Sequence, residues 1–191
     1  MKKDIILAGV GGQGILSTAA IIGLAAIENG LFVKQAEVHG MSQRGGAVQS
    51  HLRISSREIS SDLIPFGSAD MILSIEPMES LRYLPYLSTE GWIITNITPF
   101  VNIPDYPEID LLLNQIHSYK NVVAIDADGI AKKIFSPKSS NVVLLGAASG
   151  HLDIPYQNLE GGIRTLFGGK GEKVVEMNLL ALKEGLESAV K

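Results

Sequence analysis

A glycine-rich hexapeptide near the start of the chain has the composition of an anion-binding turn. Residues 9–14 satisfy the pattern G-x-G-x-x-G and read Gly9-Val10-Gly11-Gly12-Gln13-Gly14. They follow a short apolar run at residues 5–8 and precede residues 15–27, whose apolar side chains recur at helical spacing. Between a strand and a helix, such glycines let backbone N–H groups and the helix N-terminus approach an anion closely. The candidate ligand-binding residues of this turn are Gly9, Gly11, Gly12, Gln13 and Gly14.

Three interpretations of this turn are open at the level of the sequence. A nicotinamide-binding fold usually has an acidic residue at the end of its second strand to bind the ribose hydroxyls, and Glu37 is near that place. Gln13 and the additional Gly12 are unusual for such a site, which favours another phosphate or a coenzyme A-like group over NAD. In the third interpretation the glycines bind nothing and only allow a helix and a strand to pack tightly.

A second polar, glycine-rich segment follows the second predicted strand. Residues 37–46 read Glu37-Val38-His39-Gly40-Met41-Ser42-Gln43-Arg44-Gly45-Gly46. Open α/β sheets bind their ligands at the carboxyl ends of the strands, so this segment should lie beside the first glycine turn. Arg44 is suited to a bidentate contact with a phosphate or carboxylate, and Gly45 and Gly46 would let the backbone approach the same group. We expect the two segments to frame one crevice.

The other residues with acid–base or metal-binding chemistry form no catalytic pattern. We expect His39 to orient its loop by hydrogen bonding and His51 to face solvent or a partner, because neither has a paired nucleophile or carboxylate triad. His117 and His151 show no metal-ligand spacing with them. The segment Asp126-Ala127-Asp128 is expected to end a strand and cap a helix, since two acids alone are a weak metal signal. No catalytic and no metal-ligating residue is predicted.

The composition argues against several classes of function. The 191 residues include no cysteine, so this chain can supply neither a thiolate nucleophile nor cysteine ligands for an iron–sulfur cluster. A formal net charge of −4 gives no general attraction for nucleic acids. No apolar stretch reaches the roughly 20 residues that a membrane span needs, and the first apolar run breaks too early for a signal peptide. We expect a cytoplasmic protein that binds neither nucleic acid nor membranes.

Short apolar runs that alternate with helical patterns predict an α/β fold. Strands are expected at residues 5–8, 31–38, 47–54, 71–75, 92–95 and 122–125, and helices at 15–28, 77–84, 108–119, 142–152 and 172–190. This order indicates a three-layer, Rossmann-like, mostly parallel open sheet with helices on both faces. The turn Ser55-Ser56-Arg57 also allows an antiparallel edge hairpin between residues 47–54 and 58–61. Small residues at 146–150 would let their helix pack closely against a neighbour.

Together, the two glycine-rich segments resemble those of the gamma-type subunits and domains of 2-oxoacid:ferredoxin oxidoreductases. The second segment looks most like that of the smaller, beta subunit in the indolepyruvate:ferredoxin oxidoreductase branch. The likeness extends over essentially the whole chain and includes two further stretches, Gly67-Ser68-Ala69-Asp70 and Ile75-Glu76-Pro77. It implies that residues 1–191 form a single gamma-type domain.

The resemblance implies a reaction that this chain does not carry out alone. An aryl pyruvate and CoA, the co-substrate, would be converted to an arylacetyl-CoA and carbon dioxide, with reduction of ferredoxin. Thiamine diphosphate, magnesium and the 4Fe-4S clusters would belong to a larger partner subunit, and ferredoxin would be reached through the complex. Only Asp128-Gly129, a fragment of the Gly-Asp-Gly motif for metal and diphosphate, is found here.

The resemblance also implies roles for the candidate residues. Residues 11–14 and Arg44 would shape a CoA-facing or interdomain surface, with Ser42, Gln43, Gly45 and Gly46 beside them. Glu37 would accept hydrogen bonds from a ligand or brace Arg44. The sequence also allows two alternative functions. One is a stand-alone NAD-dependent oxidoreductase, and the other is a non-catalytic interaction module whose glycine loops bind another protein.

Overall fold

A mixed β-sheet forms the centre of the fold. A computed structural model describes residues 1–39 and 45–190, with His39 described at its backbone only. Within these ranges the sheet has six strands in the order β2-β3-β1-β4-β5-β6. Their bounds are β1 (Lys2–Val10), β2 (Phe32–His39), β3 (Ala47–Ser55), β4 (Ala69–Ser74), β5 (Leu87–Asn96) and β6 (Val122–Ile125). The pairs β1–β4, β4–β5 and β5–β6 are parallel, which confirms the mostly parallel α/β sheet.

Strand β3 is the antiparallel member of this sheet. It pairs with β2 on one side and with β1 on the other. The connection from β2 to β3 is too short for a crossover, which needs about a dozen residues or more, so the chain returns in the opposite direction. An antiparallel hairpin therefore does lie at the edge of the sheet, but the prediction that residues 58–61 form its second strand is wrong. Both edges of β3 are already paired, which leaves no ladder for residues 58–61.

Seven α-helices surround the sheet in the described ranges. They are α1 (Ile15–Glu28), α2 (Pro77–Arg82), α3 (Ile109–His117), α4 (Ala127–Lys133), α5 (Ser140–Ala148), α6 (Tyr156–Phe167) and α7 (Glu172–Ala189). None of these helices is long and apolar enough to cross a membrane. Helix α6 was not predicted, because Gly161 and Gly162 are poor helix formers. Gly162 is needed there because a Cβ atom at this position would lie 2.7 Å from the carbonyl oxygen of Ile21 in α1.

Helices α5 and α7 approach each other closely over one face of the sheet. A Cβ atom at Gly146 would lie 2.0 Å from the carbonyl oxygen of Leu182, and one at Gly185 would lie 1.8 Å from that of Val143. These distances are far below van der Waals contact, so both positions require glycine. The prediction of a buried helix with small residues for close packing is confirmed, although α5 ends at Ala148 and continues as a short 3₁₀ turn.

The other face of the sheet has a smaller apolar cluster, and it changes the interpretation of His51. Residues 56–68 fold over this face, so the His51 side chain is only 3% exposed and the prediction that it faces solvent is wrong. Its Nδ1 atom accepts a hydrogen bond of 3.0 Å from the backbone N–H of Ile64, and the edge of the ring meets Tyr86. Burial lowers the pKa of His51, with a smaller opposing effect from Asp62.

Candidate functional site

The first glycine-rich turn lies between β1 and α1 and is closed by its own hydrogen bonds. Gly12 and Gly14 have φ angles of 100° and 83°, which glycine adopts without strain. Gln13 forms two hydrogen bonds with Val10. The side-chain Oε1 atom of Gln13 accepts one of 2.7 Å from the backbone N–H of Val10, and the backbone N–H of Gln13 donates the other to the carbonyl oxygen of Val10. Gln13 is thus the side chain that closes the turn, a role that the sequence pattern did not indicate.

The turn and the described end of the second segment lie next to each other, as expected. The backbone N–H of Gly11 donates a hydrogen bond of 2.9 Å to the carbonyl oxygen of Gly46. The side-chain amide of Asn102, in the loop after β5, donates one of 2.6 Å to the carbonyl oxygen of Gly45. Three predicted ligand-binding residues of this segment, Ser42, Gln43 and Arg44, lie outside the described residues.

Glu37 is separated from the first glycine turn by a whole strand. It lies on β2 opposite Ser50 of β3, and its Oε1 atom accepts a hydrogen bond of 2.7 Å from Nε2 of Gln35. Because β3 lies between β2 and β1, the strand that carries Glu37 is not adjacent to β1. The sequence alone did not reveal this insertion.

A cavity of about 860 Å³ opens beside the glycine turn. Its walls come from the turn and the start of α1, from the segment that leads into α5, and from the segment that leads into α7. Gly12, Gln13 and Gly14 line it, whereas Gly9, Gly11, Glu37, Gly45 and Gly46 do not. Three of the predicted ligand-binding residues therefore line the cavity, and the other five that the structure describes do not.

A buried carboxylate holds the loop that contacts the second segment. Glu76 is fully buried at the start of α2, where its Oε2 atom accepts a hydrogen bond of 2.9 Å from the backbone N–H of Glu79. Its Oε1 atom accepts hydrogen bonds from the backbone N–H of Phe100 and from the Tyr106 hydroxyl. Burial and this bond to Glu76 raise the pKa of Tyr106. Glu76 thus fixes both ends of the loop that carries Asn102.

Asp126, Asp128 and His151 have structural roles. Asp126 caps α4 by accepting a hydrogen bond of 2.8 Å from the backbone N–H of Gly129, which confirms the predicted helix cap. The carboxylate of Asp128 accepts one of 3.0 Å from the side-chain amide of Asn96. His151 stacks on Trp92 with ring centroids 3.9 Å apart. Across the part of the chain that the structure describes, no group of three or more histidine, aspartate and glutamate side chains is placed to hold a metal ion.

The architecture is shared with solved oxidoreductase structures. It is similar to 2-oxoglutarate:ferredoxin oxidoreductase from Magnetococcus marinus, solved with 2-oxoglutarate, coenzyme A and succinyl-CoA bound, with a TM-score of 0.78 and 26% sequence identity. That match covers 99% of this chain and 31% of the other. The keto/oxoacid ferredoxin oxidoreductase gamma subunit from Geobacter sulfurreducens matches over 98% of both chains, with a TM-score of 0.72 and 23% identity. The fold is therefore that of gamma-type subunits and domains of 2-oxoacid:ferredoxin oxidoreductases.

The sequence defines the family directly. Residues 4–188 match the model described as pyruvate ferredoxin/flavodoxin oxidoreductase, and the chain belongs to this family. One relative is the indolepyruvate oxidoreductase subunit IorB of Archaeoglobus fulgidus, which is 38% identical over 199 aligned positions. The alignment covers 100% of this chain and 96% of that protein. The resemblance read from the two glycine-rich segments is confirmed.

Proposed function

We propose that this chain is the small subunit of an indolepyruvate:ferredoxin oxidoreductase in the cytoplasm. The complex would convert aryl pyruvates and CoA to arylacetyl-CoA and carbon dioxide with reduction of ferredoxin. The observation that carries the proposal is the direct contact of the two glycine-rich segments, through Gly11 and Gly46, in a chain related over its full length to an indolepyruvate oxidoreductase subunit. Residues 1–191 would act as one gamma-type domain.

The redox chemistry is assigned to a larger partner subunit. Iron–sulfur clusters of the 4Fe-4S type need cysteine thiolates, and this chain has no cysteine. Asp128, the acid in its fragment of a thiamine diphosphate motif, already accepts a hydrogen bond from Asn96. We therefore assign thiamine diphosphate, magnesium and the clusters to the partner, and we expect the isolated chain to be inactive.

The contribution of this chain would be to handle CoA at the contact between the two segments. Arg44, with Ser42 and Gln43 beside it, would face an anionic group of CoA, and Glu37 would brace Arg44 or accept a hydrogen bond from the ligand. The glycines of both segments, Gly9, Gly11, Gly12, Gly14, Gly45 and Gly46, would let the backbone approach that ligand. Gln13 would keep the first turn in shape.

The alternative of a stand-alone NAD-dependent oxidoreductase loses its main support. Such a site needs an acidic residue at the end of the strand next to β1, close to the glycine turn. Glu37 lies one strand further away and does not line the cavity. The alternative of an interaction module has no separate observation in its favour.

The proposal is tested by the activity of the co-expressed complex. Indolepyruvate- and CoA-dependent reduction of ferredoxin or a viologen would be measured for the candidate large subunit with this chain, without it, and with Arg44→Gln. We expect activity only when the chain is present, and a raised KM for CoA in the variant. Arg57→Gln is the control, because it also removes one arginine but from an exposed position past the opposite end of β3. Full activity without the chain would refute the proposal.

A further inference from the structure

We propose that the cavity beside the glycine turn is a binding site for the phosphorylated part of a nucleotide. Three lysines line it, Lys138 before α5 and Lys170 and Lys173 around the start of α7. Among the described residues none of them forms an ion pair, and Lys170 instead lies over the ring of Phe167 at 5.2 Å. Asp128 is the acid in the wall, and it is already hydrogen bonded to Asn96. The wall therefore carries an excess of positive charge in a protein whose net charge is −4.

Backbone dipoles add to this charge. The first turns of α1, α5 and α7 all contribute residues to the wall, respectively Ser17, Asn141 and Lys173. None of these three helices has a side-chain cap at its N-terminus. The N–H groups of a first turn have no partner within the helix, and each N-terminus carries a partial positive charge of about half a unit. Glu172 in the first turn of α7 offsets the partial charge of that helix, whereas α1 and α5 have no acidic residue in their first turns. Three lysines and these two helix N-termini together favour a ligand with more than one negative charge.

The rest of the wall fits the uncharged parts of a nucleotide. Phe100 is 44% exposed and, with Val174 and Met177, gives an apolar surface on which a base can stack. Asn141 and Asn178 are more than nine-tenths buried. Their side-chain N–H groups donate to backbone carbonyl oxygens, while no described residue donates to their amide oxygens. These oxygens are acceptors for hydroxyl groups such as those of a ribose.

The size of the cavity agrees with this class of ligand. Its volume of about 860 Å³ lies in the range of roughly 300–1,000 Å³ typical of small-molecule sites. Two sources of the ligand share the chemistry, the nucleotide end of CoA and a free adenine nucleotide. The choice of CoA rests on the proposed function, whereas the binding of a phosphorylated nucleotide does not.

The test is calorimetric titration of the full chain at low ionic strength with four probes: CoA, adenosine 3′,5′-bisphosphate, ADP and pantetheine. The site variant is the triple substitution Lys138→Gln, Lys170→Gln and Lys173→Gln. The control is Lys120→Gln, Lys133→Gln and Lys183→Gln, which removes the same charge from residues outside the cavity wall.

We expect the phosphorylated probes to bind and pantetheine not to bind. Affinity should fall at least about tenfold in the site variant and change about twofold or less in the control. Circular dichroism would verify that both variants are folded.

The probes separate the two sources. Tighter binding of CoA and adenosine 3′,5′-bisphosphate than of ADP would support the site with CoA as its ligand, and tighter binding of ADP would support the site with a free nucleotide. Absence of binding by every phosphorylated probe at about 1 mM, or equal losses in both triple variants, would overturn the proposal. Activity of the assembled complex is measured separately, so either proposal can fail without the other.

Discussion

The side-chain amide of Asn102 joins the loop after β5 to the carbonyl oxygen of Gly45, a residue 57 positions earlier in the chain. The other atom of this amide, Oδ1, is buried and has no hydrogen-bond partner among the described residues. Glu76 holds the same loop through the backbone of Phe100 and the hydroxyl of Tyr106. A buried carboxylate is thus connected through one loop to the second glycine-rich segment, which makes Glu76 and Asn102 positioning residues for that segment.

Replacing Asn102 by alanine should loosen the second segment. The loss of one hydrogen bond is expected to lower the free energy of unfolding by about 1 kcal/mol. Because this bond attaches Gly45, backbone N–H exchange in residues 45–48 should become faster, as measured by hydrogen–deuterium exchange.

Asn121→Ala is a matched control for that experiment. Asn121 also donates its side-chain amide to a backbone carbonyl oxygen, that of Glu90, but at an exposed place between β5 and β6, which β1 and β4 separate from β3. It should leave exchange at residues 45–48 unchanged. If exchange at residues 45–48 became equally fast in both variants, the hydrogen bond of Asn102 would not be what stabilises the second segment.

Replacing Asp4 by asparagine should strongly destabilise the fold. The Asp4 side chain is 1% exposed, and its two oxygens accept hydrogen bonds of 2.8 and 3.0 Å from the guanidinium of Arg53 on the adjacent strand. Removing one partner of a fully buried pair costs about 3–5 kcal/mol. Because the Arg53 side chain is 15% exposed, we expect a loss near the lower end of this range. Urea unfolding would measure this loss. Glu90→Gln, which breaks the exposed pair with Lys120, should cost about 1 kcal/mol or less, and a similar cost for both variants would contradict the prediction.

Replacing Gly185 by alanine should separate α5 from α7. The added methyl group would overlap the carbonyl oxygen of Val143, so the helices must move apart, and overpacking of this kind costs about 1–3 kcal/mol or more. The change is measured as a lower midpoint of thermal unfolding. Gly150→Ala, where a methyl group meets nothing within 4 Å, should stay within about 0.5 kcal/mol of the unchanged protein. A stable Gly185→Ala protein would show that the two helices do not pack this closely.

The buried His51 should make stability depend on pH. Burial lowers its pKa in the folded state below the unfolded value of 6.5, so the unfolded chain binds the proton more readily. The free energy of unfolding is therefore retained above pH 6.5 and lost as the pH falls from there through the folded pKa. In His51→Gln the slope of the unfolding free energy against pH should fall in this range, by at most the equivalent of one bound proton. Identical slopes for His51→Gln and the unchanged protein would refute this assignment.

The fold was predictable where local patterns decide the structure. Apolar runs, and alternation in the case of β3, located every strand of the described residues. The helical spacing from Ile15 together with Asn29 and Gly30 located α1 and its end. The partner of β3 was not predictable, because strand pairing depends on connections and edges rather than on the strand itself. Helix α6 and the burial of His51 were missed because distant segments, Ile21 in one case and Ile64 in the other, determine them.

The candidate site was predictable only in part. The contact between the two glycine-rich segments was predicted from the rule that ligand-binding loops follow the carboxyl ends of strands. In the structure it has a different cause, because Gly46 immediately precedes β3, the strand that pairs with β1. The lysines of the cavity could not be recognised, since Lys138, Lys170 and Lys173 are more than 120 residues from the glycine turn in sequence and share no spacing with it. Glu76 carried one signal, its position before Pro77 at a helix start, which is where an acidic side chain caps a helix.

The cavity also has a thermodynamic consequence. Its walls combine residues 12–17, 136–141 and 167–178, so it exists only when α1, α5 and α7 are assembled. Anything that occupies it binds the folded chain and not the unfolded one. By mass action, a ligand at one hundred times its dissociation constant would add about 2.7 kcal/mol to the free energy of unfolding. Occupancy of the cavity and the stability of the assembled helices α1, α5 and α7 are therefore linked, so a measurement of unfolding also reports binding.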